Sequence, residues 1–427
     1  MFVTKLHEAY NMIRKEKERL ANKSEYFLGY GAEELKQAGA FFTAKEISSQ
    51  PQLWKNTWAQ IARQQTVLEN FLAKPYMFSD LDVILTGAGT SAFIGNILAG
   101  QFKKNSGKST RAIATTDLVT HPEIHFHRDI PTLLISFARS GNSPESVAAV
   151  HLANKICKKI YHLIITCNPV GELVTNIPLN QTMVFLMPAE ANDQGLAMTG
   201  SFSSMLLAGL LISRISSIDT LKSQIDLLAD YGNTVLSDYA GELREVAAYD
   251  FKRAVFLGSG PLHGTAKESD LKLQELTDGK IICRHDSFLG FRHGPKAVID
   301  SETLLVYLFS NTEYVHQYEV DLINDINDGE KGLYRIGVIE SAREEMDLNV
   351  DLLIEFSDGF EKIDEEFLAV CSVLPAQILG FYKCIDLKLK PDSPSENNTI
   401  TRVVQGVNIY PFYPQDEGEI ILSQEIK

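Results

Sequence analysis

Three stretches of the sequence carry side chains whose types and spacing could do chemistry together. The first, "GAGTSA" at 87–92, follows a run of β-forming residues and precedes a helical pattern. The second, "SGNSPES" at 140–146, follows another such run, and the third, "AKESDLKLQE" at 266–275, is a charged helical segment. The first two are typical of anion binding, and the third offers acid–base groups.

The two turns favour an anion because each leads into a helix, whose N-terminus presents unpaired N–H groups and the positive end of a dipole. In an open parallel sheet such turns meet at the carboxyl ends of the strands, so we expect them to converge on one site. The serines could instead be ordinary N-caps, but convergence of two turns favours binding. The candidate ligands are Gly89, Thr90, Ser91, Arg139, Ser140, Gly141, Asn142 and Ser143.

The first turn also matches the dinucleotide-binding pattern G-x-G-x-x-(G/A) through Gly87, Gly89 and Ala92. That pattern expects an acid about 20 residues further on, at the tip of the next strand, and Asp117 lies later than this. A second serine-rich turn is no part of a dinucleotide site, whereas a phosphate monoester would use both turns. The sequence therefore predicts a phosphate monoester as ligand.

The acid–base candidates begin with Glu268, Lys272 and Glu275, whose i, i+4, i+7 spacing puts them on one helical face. The same spacing is common in solvated ion-pair stripes, and spacing alone does not separate the two interpretations. His293, in "FRHGPKAV" at 291–298, carries an imidazole, which exchanges protons near neutral pH. It could equally be a turn residue before Gly-Pro.

The elements that must position these residues occur twice along the chain. "AVFLGSG" at 254–260 mirrors "VILTGAG" at 83–89, and "TLLVYLFSN" at 303–311 mirrors "TLLISFARS" at 132–140; the offsets 258 minus 87 and 303 minus 132 both equal 171 residues. These unbroken apolar runs are typical of parallel strands buried on both faces. We predict two tandem α/β units, of which only the first keeps the serine-rich turn for an anion.

The remaining sequence sets the domain organisation. The first part reads as mostly helical, with a capping box "TAKE" that would start a helix at Thr43 and place Glu46 three residues on. We expect a helical N-terminal segment, an anion-binding unit, a unit with the acid–base residues and a C-terminal tail, with boundaries at 1–80, 81–235, 236–390 and 391–427.

Composition excludes several partner classes. The net charge of −15 argues against nucleic acid, and "MLLAGLLI" at 205–212 is too short to span a bilayer and suits a core helix. Five cysteines without a C-x-x-C pair, and a charged N-terminus without a signal-peptide core, favour a reducing, cytoplasmic location. His121, His125 and His127 lie close together but lack a fourth ligand, so we expect no metal site.

The motifs together resemble a known family. "GAGTS" followed by "SFARSGNSPES" is similar to a sugar isomerase (SIS) domain, and the chain resembles a tandem pair of them over roughly 81–390. With "LWKNTW", "AKESDLKLQELTDGKI", "FRHGPKAV" and "NNTITRVVQGV", it resembles the AgaS family, described as galactosamine-6-phosphate deaminases or tagatose-6-phosphate ketose/aldose isomerases. The resemblance implies two flavodoxin-like αβα sandwiches and a C-terminal tail folded over the site.

The resemblance also implies roles for the residues. Glu275 would move a proton between C2 and C1 of the sugar, with Lys272 and Glu268 as polar partners, and His293 would assist ring opening, often from the partner subunit. Arg402 would stand in for a tail lysine of the related synthases. Arg139, where those synthases have glutamine, would contact the phosphate or pair with Glu145; the residues leave both open.

The implied reaction converts D-galactosamine 6-phosphate to tagatose 6-phosphate and ammonium, without a cofactor, in a homodimer or larger homo-oligomer. The same residues would also serve a simple aldose–ketose isomerase or a fructosamine-6-phosphate deglycase. A non-catalytic sugar-phosphate sensor is an alternative of a different class, although a sensor has no need of positioned acid–base groups.

Overall fold

The structure is a computed structural model that describes residues 26–176, 181–342, 348–359, 361–404 and 406–413. The strands within these residues are β1 Tyr26–Phe27, β2 Tyr30–Gly31, β3 Asp82–Thr86, β4 Ser109–Ala112, β5 Thr132–Ala138, β6 Ile160–Thr166, β7 Thr182–Leu186, β8 Arg253–Gly258, β9 Ile282–Asp286, β10 Thr303–Leu308, β11 Tyr334–Ile339 and β12 Leu352–Glu355. The α-helices are α1 Ala32–Ala38, α2 Phe41–Ser48, α3 Gln50–Arg63, α4 Gln65–Tyr76, α5 Thr90–Ser106, α6 Thr115–Thr120, α7 Pro122–His125, α8 Pro144–Ile156, α9 Glu172–Thr175, α10 Gly200–Ser213, α11 Lys222–Thr234, α12 Ala240–Ala247, α13 Pro261–Leu276, α14 Phe288–Phe291, α15 Glu313–Asn327, α16 Glu365–Cys371 and α17 Leu374–Asp386.

Two five-stranded parallel sheets organise the molecule. The first has the order β4-β3-β5-β6-β7 and the second β9-β8-β10-β11-β12. Numbered within each unit, both orders read 2-1-3-4-5, which is the flavodoxin-like arrangement. The predicted α/β fold with two tandem parallel sheets is therefore confirmed, and the sheets fall inside the predicted ranges 81–235 and 236–390.

The internal repeat is visible in the backbone of the two glycine turns. Gly89 has φ 55° and ψ −128°, and Gly260, its counterpart 171 residues later, has φ 54° and ψ −126°. A Cβ on Gly87 would lie 2.6 Å from backbone atoms of the following helix, and one on Gly258 would lie 2.3 Å from them. Both turns need glycine for the same two reasons, a left-handed conformation and a close helix approach.

The two units meet through the helices that follow these turns, since α5 packs against α13. A Cβ on Gly264 of α13 would lie 3.1 Å from the backbone nitrogen of Ile97 on α5, so a glycine lets the helices approach closely. This packing brings the N-terminus of α5, in the first unit, alongside the charged face of α13, in the second. The site described below depends on it.

Apolar helices fill the space around the sheets. α10, which contains the predicted core segment 205–212, is buried along nearly its whole length and packs against α3, α5 and α16. The helical stretch Glu365–Asp386 is long and apolar enough to cross a membrane, but 94% of its apolar window is buried inside the fold. Such burial is typical of a core helix.

The predicted capping box at 43–46 is wrong. α2 begins at Phe41, before the predicted cap, and the Thr43 hydroxyl donates to Asp392 Oδ1 at 2.9 Å. Glu46 accepts from the backbone N–H of Gln194 at 2.5 Å. Both side chains are taken by partners distant in the sequence, which the local pattern does not reveal. Of the N-terminal segment, residues 1–25 lie outside the described residues.

Candidate active site

A cavity of about 430 Å³ lies at the carboxyl ends of β3 and β5. Its walls come from the two hydroxyl-rich turns and from α13, and residues 398–404 of the C-terminal tail form its roof. The predicted site residues that line it are Gly89, Thr90, Ser91, Arg139, Ser140, Ser143, Glu275 and Arg402. Residues from 88 to 404 thus meet in one place, as the resemblance implied.

The serine hydroxyls of the two turns face the cavity, whereas the Thr90 hydroxyl is bonded to Lys272 and Glu268. Ser143 occupies the N-cap position of α8, and Pro144 is its first residue as the sequence predicts, but the Ser143 side chain makes no capping hydrogen bond. The Ser91 hydroxyl contacts the sulfur of Met198, at 3.9 Å. The interpretation of these serines as N-caps is therefore not supported, and two helix N-termini border the same cavity.

Gly141 and Asn142 shape the second turn without lining the cavity. Gly141 has φ 67°, a left-handed conformation that glycine adopts without strain. Asn142 Oδ1 accepts the backbone N–H of Glu172 at 2.9 Å, and the Asn168 side chain donates to the Ser140 carbonyl at 2.7 Å. These bonds hold the loop that presents Ser140 and Ser143.

The three charged residues of α13 form one buried cluster. Lys272 Nζ lies 2.5 Å from Glu275 Oε2 and 3.3 Å from Glu268 Oε1, and it donates to Thr90 Oγ1 at 3.0 Å. The side chains of Lys272 and Glu268 are 0% exposed, whereas that of Glu275 is 24% exposed. Because of this burial the cluster is not a solvated stripe: Glu275 reaches the cavity and the other two lie behind it.

The charges of this cluster follow from its burial. Burial raises the pKa of Glu268 to about 8, although Lys272 opposes the shift. Burial also disfavours the charged form of Lys272, but the attraction of Glu268 and Glu275 exceeds this effect of burial and raises the pKa of Lys272. Lys272 is therefore charged and paired with Glu275, and Glu268 keeps its proton to higher pH than an exposed glutamate does. One oxygen of Glu268, Oε2, has no hydrogen-bond partner.

The two arginines serve the roof of the cavity. Arg139 is 6% exposed and donates to the carbonyls of Leu196, at 3.0 Å, and Arg402. Arg402 in turn donates through Nε to the carbonyl of Asp193 and through Nη2 to Asn192 Oδ1, both at 3.0 Å. Arg139 makes no ion pair with Glu145, so of its two predicted roles that one is not observed.

His293 is exposed and does not line the cavity of its own chain. Its loop follows α14 and is tied to α15, because Lys296 donates to Asp325 and Arg292 lies 3.4 Å from the same carboxylate. The structure of one chain therefore does not bring His293 to Glu275.

In the second unit, the loop after β10 corresponds to the serine-rich turn, and carboxylates accept its hydrogen bonds. Glu319 Oε2 accepts the backbone N–H of Ser310 at 3.0 Å, and Glu365 accepts the Ser310 hydroxyl. Glu340 Oε2 accepts the Asn311 amide at 2.9 Å. The donors that would hold an anion are already occupied, and the cavity beside them measures about 20 Å³. This asymmetry fits the expectation that only the first unit binds an anion.

Several lining residues were not predicted from the sequence. Ser146 lies one helical turn beyond Ser143, and this hydroxyl spacing was a usable signal. Leu196 and Met198 come from the loop between β7 and α10, and their types carry no sign of a site. Within the described ranges, no group of three or more His, Cys, Asp or Glu side chains is arranged to hold a metal ion.

Comparison with known proteins agrees with this architecture. Residues 78–213 match the SIS domain model. The D-galactosamine-6-phosphate deaminase AgaS of Shewanella sp. (strain ANA-3) is 41% identical over 389 residues, covering 89% of this chain and 95% of that protein.

Two solved structures described as tagatose-6-phosphate ketose/aldose isomerases have the same fold. The one from Clostridium novyi NT has a TM-score of 0.88 and 41% identity, covering 91% of this chain and 99% of that chain. The one from Escherichia coli has a TM-score of 0.78 and 37% identity, covering 87% and 97%. With this identity over nearly the whole length and the site motifs in one cavity, the chain belongs to the AgaS family.

Proposed function

We propose that this enzyme is a D-galactosamine-6-phosphate deaminase, releasing tagatose 6-phosphate and ammonium. The observation that carries the proposal is that the Glu275 carboxylate faces the same cavity as two hydroxyl-rich helix N-termini. One end of this cavity suits a dianionic phosphate and the other suits proton transfer. The activity named for the Shewanella relative is the one this arrangement supports.

The phosphate group binds between the N-termini of α5 and α8. Ser91, Ser140 and Ser143 donate their hydroxyls, and Gly89 lets the backbone approach the ligand without a side chain in the way. Because the chain as a whole carries a charge of −15, attraction for the phosphate has to be local, and two helix dipoles supply it.

Glu275 is the acid–base group for the open-chain amino aldehyde. It takes the proton from C2, leaving the enolate form of an enolamine, and returns it to C1 while one N–H proton passes to O1, which yields a ketimine at C2. Water adds to the ketimine and ammonium leaves, so one water is consumed for each ammonium released. A positioned base of this kind contributes roughly 10²–10⁴-fold to the rate. Lys272 orients Glu275 through their 2.5 Å contact, and Glu268 lies behind Lys272.

The roof formed by residues 398–404 covers the sugar and limits the access of water. Arg139 and Arg402 fasten this roof to the loop at 192–196 instead of reaching for the substrate. Arg402 therefore acts as an anchor of the tail.

We assign ring opening to His293 of a second copy of this chain, because His293 is exposed and outside its own cavity. The working enzyme is then a homodimer or a larger homo-oligomer. A cytoplasmic location agrees with the five cysteines, all of which are free.

The test is an assay of the full chain with D-galactosamine 6-phosphate, measuring ammonium and ketose together, with glucosamine 6-phosphate as the comparison substrate. We expect equal amounts of both products from the galacto substrate and much less from the gluco one. Glu275→Gln should lose turnover, whereas the exposed Glu330→Gln should keep it. Absence of ammonium, or an active Glu275→Gln, would overturn the proposal.

A second candidate is ketose/aldose isomerisation of tagatose 6-phosphate, which the descriptions of the two solved structures favour. It uses the same proton transfer without loss of nitrogen. Interconversion of tagatose 6-phosphate and its aldose at a kcat/KM above that of ammonium release would support this candidate. A sensor would bind the sugar phosphate without turnover, and Glu275→Gln would not change its function.

A further inference from the structure

Thr90 lies on the phosphate turn of the first unit, yet its hydroxyl is bonded to the acid–base helix of the second. Thr90 Oγ1 accepts from Lys272 Nζ at 3.0 Å and donates to Glu268 Oε1 at 3.3 Å. These partners are 182 and 178 residues away along the chain. Both are 0% exposed, so water does not compete for these bonds.

The hydrogen-bonding capacity of a hydroxyl limits what else Thr90 can do. A threonine hydroxyl has a single O–H donor, and Thr90 spends it on Glu268. A phosphate dianion only accepts hydrogen bonds. Thr90 therefore cannot donate its hydroxyl to a bound phosphate unless it breaks a buried contact, which distinguishes it from Ser91, Ser140 and Ser143.

Lys272 depends on this hydroxyl. An ammonium group has three N–H donors, and the acceptors around Lys272 Nζ are Thr90, Glu275 and Glu268. Without the Thr90 hydroxyl, one donor of a fully buried charge would have no partner, which costs more than the loss of an ordinary hydrogen bond. Lys272 in turn lies 2.5 Å from the Glu275 carboxylate that faces the cavity.

We propose that Thr90 is a positioning residue that couples the phosphate turn to the acid–base helix: its hydroxyl fixes Lys272, and Lys272 holds Glu275 toward the sugar. Thr90 directly follows Gly89, so the turn that receives the phosphate also fixes the position of the Lys272 ammonium. The inference rests on the proposed function for the role of Glu275, but it assigns Thr90 to proton transfer instead of phosphate binding.

The test uses a substitution that removes the hydroxyl and keeps the shape. Thr90→Val should lower kcat about tenfold or more, the usual cost of a lost bond to a charged group, with KM changed less than about twofold. Thr90→Ser, which restores the hydroxyl, should recover most of kcat. Thr86→Val is the matched control, because the buried Thr86 hydroxyl has no partner and Thr86 does not line the cavity.

A second measurement does not depend on turnover. Binding of inorganic phosphate, followed by calorimetry on the full chain, should be equal in wild type and Thr90→Val within about twofold. If the hydroxyl were a phosphate ligand, Thr90→Val would weaken phosphate and raise KM about tenfold while kcat persisted, and that result overturns the inference. If Thr90→Val does not fold, Thr90→Cys serves instead, since a thiol is a weak hydrogen-bonding group.

The pH profile separates positioning from a general structural defect. Ionisation of Glu268 changes the charge beside Lys272, so we expect it to appear as a limb of the kcat profile near pH 8. The Thr90 hydroxyl helps lower the pKa of Glu268, so its removal should shift that limb to higher pH. An unshifted profile with a lowered kcat contradicts the proposal. Failure of the proposed deaminase activity is distinguishable, because it appears as a wild-type enzyme that releases no ammonium, whereas the phosphate-binding comparison still decides the role of Thr90.

Discussion

Arg139 donates a hydrogen bond from Nη2 to the backbone carbonyl of Arg402, 263 residues further along the chain. Arg402 donates to the carbonyl of Asp193, and Arg139 also donates to that of Leu196. Arg139, in the turn after β5, and Arg402, in the tail, therefore join the roof of the cavity to the loop at 192–196. A planar guanidinium suits this task because its donors point in several fixed directions.

Arg139→Lys should loosen the roof. One ammonium cannot reproduce the bonds to both Leu196 and Arg402, so we expect KM for the sugar phosphate to rise about tenfold. Hydrogen exchange of residues 398–404 should become faster. Arg128→Lys, at an exposed position, is the control. Unchanged exchange in the roof of Arg139→Lys would show that the tail is held by other contacts.

Mixing two inactive variants should restore activity if His293 serves the partner's cavity. In Glu275→Gln and His293→Asn homo-oligomers every site lacks one group, whereas a mixed dimer contains one intact site. Random exchange at equal amounts should then give roughly a quarter of wild-type activity. The measurement is ammonium release after mixing and subunit exchange. Continued inactivity of a verified mixed dimer would place both residues in the same chain's site.

One phosphate should bind per chain, because Glu319, Glu340 and Glu365 already occupy the donors of the second loop. Calorimetry with inorganic phosphate should give a stoichiometry near one. Ser140→Ala should weaken this binding about tenfold, whereas Ser310→Ala should leave it unchanged and lower the melting temperature instead. A second phosphate lost in Ser310→Ala would contradict the assignment.

The stability of the protein should fall as the pH rises through about 8, in part because of Glu46. Burial, and then the charge of Asp193, raise the pKa of Glu46 from 4.5 to about 8, with Asp392 adding to the shift. The folded state therefore holds this proton more tightly than the unfolded chain does. The stability that Glu46 contributes is fully present below pH 4.5 and is lost as the pH rises through about 8.

Glu46→Gln should remove this part of the pH dependence. The amide oxygen can still accept from Gln194 and Gly195, but no charge is left to bury. At about pH 9 we expect a melting temperature roughly 2 °C or more above wild type, and a smaller difference at about pH 6. The exposed Glu190→Gln should match wild type at both values. Parallel melting curves for Glu46→Gln and wild type would contradict the prediction.

Local sequence patterns predicted the parts of the site that depend on local chemistry. Gly89 and Gly260 stand in turns that need a left-handed residue, and the strands they follow are apolar because helices cover both faces of each sheet. The short strands β4 and β9 are partly exposed at sheet edges and contain polar residues, so they carry no comparable signal.

The sequence by itself determined the repeat, the two hydroxyl-rich turns, and the identity of the charged residues on α13, since each follows from spacing along one element. Only the tertiary structure decided which partners those side chains take. The close packing of α5 on α13 directs Thr90 to Lys272. Thr43 and Arg139 instead hold the C-terminal tail, by donating to Asp392 and to the carbonyl of Arg402. Such pairings join residues more than a hundred positions apart, and the geometry that selects them arises only when the core is packed.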